Sequence, residues 1–169
     1  KIGRAQDLVR AFRSPADYVF LTAGKANLEQ IARQRLTPGQ KKRFAWSLPP
    51  LILEKDLDYT QRAVSWYRDR GYHTWEVNNW SHFEFFEKVA GLHLIAGCRF
   101  NLRNRAALAC VAEFGCQQAV LSLEITRKEL QELTRDPPSV VPVVQVYGWP
   151  PLFLSRLPVK LRGDRALLT

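Results

Sequence analysis

With 169 residues, 46% of them hydrophobic and 24% charged, the chain has the size and balance of one folded domain rather than of a disordered segment. Its apolar runs are short and broken by proline or charge, so none reaches the ~20 residues of a membrane-spanning helix. The net charge is +9, and it is uneven: up to Arg70, fourteen Lys and Arg stand against seven Asp and Glu.

Lys41, Lys42 and Arg43 form the densest basic run. Such a field concentrates polyanions without choosing among them, so these three are the candidate nucleic-acid contacts, with a solvated basic face as the plainer alternative. The chain begins at Lys1, has no methionine and shows no basic start followed by an apolar block and a cleavage site. It reads as a domain of a larger cytoplasmic protein, with the rest of that parent chain as its first expected partner and no membrane partner. Cys98, Cys110 and Cys116 match neither paired zinc ligands nor a disulfide framework, and His73, His82 and His93 are scattered singly. Reduced thiols and no metal site are expected.

The first forty residues are irregular. A short helix is expected over Gln6 to Phe12, a strand over Asp17 to Thr22 and a helix over Asn27 to Arg35 capped by Asn27; Ile2 is a further possible strand. Thr37-Pro38-Gly39-Gln40 reads as a loop, and Arg43 to Ser47 as a strand ending at Leu48-Pro49-Pro50. From there a unit repeats: a capped amphipathic helix, a glycine, then a short β-rich run. Asp58 with Gln61 reads as a capping box, Gly71 as the left-handed stop, and Thr74 to Val77 as a strand. Ser81 with Glu84 opens the second copy, which ends at Gly91 before Leu92 to Ala96. The third starts near Asn104 and ends at Gly115, before Ala119 to Leu123. A fourth helix opens at Thr126 with Glu129 and cannot pass Pro137; Val140 to Tyr147 follows as a strand.

Helix, glycine and strand in steady alternation imply parallel strands joined by right-handed crossovers. Continuously apolar strands such as Leu92 to Ala96 agree, because a parallel sheet is covered on both faces. The expected fold is therefore α/β, a TIM-barrel-like or partial (β/α) barrel with parallel strands, with an open doubly wound sheet as the alternative. One α/β domain spans 1–169: 1–42 hold the less regular basic units, 43–156 the repeated β/α units, and 157–169 the start of a following segment.

In such folds functional groups gather past the carboxyl ends of the strands. That rule selects Glu54, Lys55, Asn78, Asn79, Cys98, Arg99, Asn101, Glu124 and the stretch from Tyr147 to Arg156. Each has a plain reading as well, since asparagine before a helix commonly caps it and a lone cysteine is commonly a small buried hydrophobe. No G-x-S-x-G elbow, Walker loop or G-x-G-x-x-G is present. Trp66, Phe85 and Phe86 read as core, whereas Trp80 and Trp149 lie in loops at the functional end.

Several motifs recur in one order: Leu48-Pro49-Pro50; Glu76-Val77-Asn78-Asn79; Gly97-Cys98-Arg99-Phe100-Asn101-Leu102-Arg103-Asn104; and Ala119-Val120-Leu121-Ser122-Leu123-Glu124-Ile125 after Gly115. Val143 to Tyr147 with Gly148 and Pro151-Leu152-Phe153-Leu154-Ser155-Arg156 follow. Over about two thirds of its length the chain resembles the carboxyl-terminal part of a peptidase U-32 barrel, the collagenase-like proteases, some of whose relatives act in RNA or quinone hydroxylation. The resemblance implies a macromolecular substrate, protein or RNA. It implies catalytic roles for Glu124 and Ser155 and substrate contacts from Asn78, Asn79, Asn101, Asn104, Gly148 and Arg156. Aligning Gly148 and Ser155 on the family's signature leaves Val143 where a glutamate is expected and Pro151 and Pro158 where cysteines are expected. Without those thiolates no iron–sulfur cluster is expected in this domain, and no other cofactor is evident. Two further readings stay open: a non-catalytic auxiliary barrel half of a larger protein acting in RNA modification, and an RNA-binding module.

Overall fold

The computed structural model describes residues 1–87, 89–136 and 138–148. Six strands form one sheet: β1 (Val19–Thr22), β2 (Phe44–Ser47), β3 (Thr74–Val77), β4 (His93–Ala96), β5 (Cys116–Val120) and β6 (Val141–Val143). Their spatial order is their chain order, and every adjacent pair is parallel. Ile2 adds a parallel bridge to Leu21 outside β1. Helices α1 (Leu8–Phe12), α2 (Lys25–Arg33), α3 (Pro38–Arg43), α4 (Glu54–Arg68), α5 (Arg105–Glu113) and α6 (Arg127–Thr134) connect or flank the strands, and a 3-10 segment, Trp80–Phe86, stands between β3 and β4.

Sequential order with no reversal is barrel topology, and the curvature agrees. Tyr18, just before β1, stacks on His93 of β4 with ring centroids 5.8 Å apart. Three strand spacings put those positions ~14 Å apart in a flat sheet, so the sheet curls and brings the rings together over its concave face. The architecture is a partial (β/α) barrel.

The convex face carries the core. Phe44 and Trp46 of β2, Trp75 and Val77 of β3, and Leu94 and Ala96 of β4 pack with Leu28 and Ile31 of α2, Val64 and Tyr67 of α4, and Leu108 and Val111 of α5. Trp46 sits 4.9 Å from Phe44, 4.8 Å from Tyr67 and 6.2 Å from Trp75, centroid to centroid. Aromatic burial of this kind contributes roughly 1.5–3 kcal/mol per side chain.

Several local expectations are corrected. Asp58 lies inside α4, which starts four residues earlier with Leu53 at its N-cap; Glu54 and Asp56 supply the negative charge that the first turn favours. Thr37 to Gln40 is no loop but a complete capping box that starts α3, with Pro38 at the first helical position. Gly24 caps α2, while Asn27 turns its side chain to the Ala5 N–H and the carbonyls of Gly3 and Thr22. Asn79, not Ser81, caps the segment after β3. The third helix starts where expected, with the Asn104 side chain as its cap, and the Thr126–Glu129 box stands as expected. Left-handed Gly71 and Gly115 follow the ends of α4 and α5. The second copy, however, is a 3-10 segment that stops at Phe86, so left-handed Gly91 lies in a turn before β4 and ends no helix. Strand β5 runs Cys116–Val120, starting three residues earlier than expected and ending three residues earlier; Gln117 Oε1 accepts from Leu94 N at 2.7 Å where the β4–β5 register shifts. Strand β6 is shorter than expected, and Val144 to Tyr147 are exposed.

Candidate functional site

Because all strands run parallel, their carboxyl ends meet one rim. On β3 the pattern Thr74-Trp75-Glu76-Val77 alternates: Trp75 and Val77 enter the core, so Thr74, Glu76 and Asn78 turn to the concave face. Register then aligns Thr22, Ser47 and Glu76 across β1, β2 and β3.

Glu76 is the centre of this layer. Only 9% of its side chain is exposed, and Lys1 reaches its Oε2 at 2.6 Å. The Ser47 hydroxyl donates to the same oxygen, and the Asn78 carboxamide stands 3.3 Å from it. Asn78 Nδ2 also donates to Leu48 O at 2.8 Å, which anchors the strand end. The Asn78 backbone N–H donates to His82 Nδ1 at 3.1 Å, so that nitrogen is an acceptor and the ring is neutral. Burial drives the His82 pKa down to about 4. Gly97, past β4, leaves the space that the Asn78 carboxamide fills.

A second group stands beyond β4 and β5. Asn101 adopts a left-handed conformation with φ 53° and accepts from the Ser122 hydroxyl. The same hydroxyl oxygen accepts from Glu124 N at 3.1 Å. Glu124 is exposed at the rim.

The structure thus gathers Asn78, Asn101 and Glu124 past neighbouring strands and sets Gly148 after β6. Asn79 and Asn104 are helix caps, Asn79 also donating to Pro50 O at 3.2 Å. Lys41 lies elsewhere, at the other end of the strands, bonded to Arg70 O at 2.7 Å and over the Tyr72 ring. Arg43 is occupied by the chain itself: its guanidinium donates to the carbonyls of Phe12, Ser14 and Ala16. Lys42 and Arg43 line a cleft of ≈ 780 Å³ with Asp17, Tyr18 and Gln118. Ser155, Arg156, Trp149, Pro151 and Pro158 lie outside the described residues.

Trp80 is half exposed and joins Phe83, Phe100 and Phe114 in a ring cluster with centroids 4.8–5.9 Å apart. Phe85 and Phe86 are buried, but Trp66 is 38% exposed beneath the Arg70 guanidinium. The three cysteines are free, and burial pushes the Cys116 thiol up to about 12. Among the described residues no group of His, Cys, Asp or Glu is arranged to hold a metal ion, and no helix is long and apolar enough to cross a membrane.

Sequence reasoning missed Glu76, Ser47, His82 and Lys1 as site members. The available signal was an acid inside a strand that a parallel sheet buries on both faces; such a charge needs partners, and only the fold names them. No family model matches the chain, and no curated protein or solved structure matches it.

Proposed function

We propose that the chain is a barrel segment of the peptidase U-32 type that binds an extended polypeptide across the carboxyl rim of its strands. The observation that supports this reading is that Asn78, within the buried Glu76 network, Asn101 and Glu124 follow the carboxyl ends of three neighbouring strands. In parallel β/α architectures that rim is where ligands bind. On this reading Asn101 orients the substrate backbone, Asn78 is buried and holds Glu76 and the strand end beneath it, and Glu124 is the titratable group exposed to accept or return a proton, with Ser155 as its suggested companion.

Gelatin is the direct test. Retention on immobilised gelatin and its cleavage by the purified chain are the expected results, with cleavage lost in Glu124→Gln and in Ser155→Ala while retention persists. A chain that neither retains nor cleaves gelatin ends the peptidase reading.

One observation favours the auxiliary reading. Val143 on β6, paired with Val120, stands where the family's signature has its acid, and Val141, Val144 and Val146 beside it are exposed. An apolar sheet edge of this kind suits the rest of a parent barrel. Gelatin binding without cleavage, rescued to cleavage by the full parent chain, would select that role.

A further inference from the structure

Lys1, Ser47 and Asn78 all direct their donors at one oxygen of Glu76, Oε2. Its Oε1 has no hydrogen-bond partner among the described residues, and it is not sealed away either: the enclosed orphan atoms there are Trp46 Nε1 and His93 Nε2. A carboxylate nine-tenths buried and held through one oxygen therefore keeps the other oxygen open on the concave face. An oxygen left open on that face is met by water when no ligand is there, and a ligand group that supplies a donor takes the water's place. Lys1 at 2.6 Å already neutralises the charge. A second cation would be desolvated for little gain, whereas a neutral N–H or O–H forms a charge-assisted bond.

We infer that Glu76 Oε1 is the acceptor of a binding site for a neutral ligand presenting an N–H or O–H donor to the carboxyl mouth of the barrel. The inference rests on that rim being the ligand face, but not on the peptide assignment. A chain that fails to retain gelatin yet binds a neutral probe here loses the proposed substrate and keeps the site.

Glu76→Gln is the informative change, because the three donors hold the carboxamide oxygen at the Oε2 position and so turn its NH₂ toward the ligand. Donor then meets donor. The test is an NMR titration of isotope-labelled chain with N-acetylglycinamide, methyl glucoside and methylguanidinium, read at the Asn78 side-chain amide. Saturable shifts with a neutral probe are expected, the amide and the glucoside arms telling N–H from O–H recognition. Affinity should fall at least ~10-fold in Glu76→Gln, the size of one charge-assisted hydrogen bond. If that variant loses its dispersed spectrum, Glu76→Asp, which keeps the charge but withdraws the oxygen by one methylene, should show the same loss. The site is overturned if neither neutral probe shifts Asn78, if a folded variant binds as tightly as the parent, or if methylguanidinium binds tighter than both neutral probes.

Discussion

Gly97 lies so close to the Asn78 carboxamide that a β-carbon there would overlap it and approach Val77 O to 3.0 Å. The loop after β4 thus shapes the end of β3, and glycine is required for space rather than for an unusual backbone. Gly97→Ala should destabilise the fold by about 1–3 kcal/mol, the usual cost of overpacking, and displace Asn78 from Leu48 O. Gly39 is the contrast: it lies in α3 with no atom within 4 Å of an added β-carbon. Gly39→Ala should stabilise by about 0.4–1 kcal/mol. Urea denaturation of both variants checks the pair, and equal effects would refute the steric account.

His82 makes stability depend on pH. Burial lowers its pKa from 6.5 to about 4, so the folded protein holds the neutral ring while the unfolded chain takes a proton more readily. The stabilisation is complete above pH 6.5 and is lost as pH falls toward 4. Denaturation midpoints should therefore drop across that window, and His82→Gln should flatten the part of the slope nearest pH 6. An unchanged slope in a folded variant would assign the acid sensitivity elsewhere.

Arg43 behaves as a clasp on the segment before β1, since its guanidinium serves three carbonyls, Phe12 O at 3.1 Å and Ser14 O at 2.8 Å among them. Arg43→Lys keeps the charge but not the fork, and should cost about 1–3 kcal/mol in thermal unfolding while hastening proteolysis near residues 13–17. Lys42→Ala should leave stability unchanged. If RNA binds this basic run, Lys42→Ala should weaken it and flatten its salt dependence; no salt-dependent RNA affinity would remove the nucleic-acid role of Lys41, Lys42 and Arg43.

Asn101 combines a left-handed backbone with a bond from Ser122. Asn101→Gly should lose only the side-chain bond, whereas Asn101→Ala also carries the steric cost of that conformation, about 1–2 kcal/mol. Thermal melts should rank the parent above Asn101→Gly and that above Asn101→Ala; the reverse order of the two variants would show that the backbone, not the hydroxyl contact, is unimportant here.

Local patterns were legible where chemistry is local. Thr126–Glu129 announced its helix because capping joins residues three apart, and Gly71 and Gly115 marked helix ends because few other residues adopt their conformation; Gly91 has the same backbone but turns the chain after a 3-10 segment that stops at Phe86. Asp58 with Gln61 misled for the same reason: a box motif also fits a helix interior when an acidic first turn upstream starts the helix sooner. Thr37 to Gln40 looked like a loop because its proline and glycine outweighed a capping pair that was equally visible.

The alternation of helix and strand by itself determined a parallel α/β fold, since each helix must return the chain to the same end of the sheet. It also determined that Asn78, Asn101 and Glu124 share a rim. Only the tertiary structure decided how that rim works. The curl that stacks Tyr18 on His93, the register that sets Ser47 beside Glu76, and the reach of Lys1 across the concave face join residues up to 75 positions apart. Contacts at that separation depend on strand order and sheet curvature, and no short-range pattern in the chain encodes either.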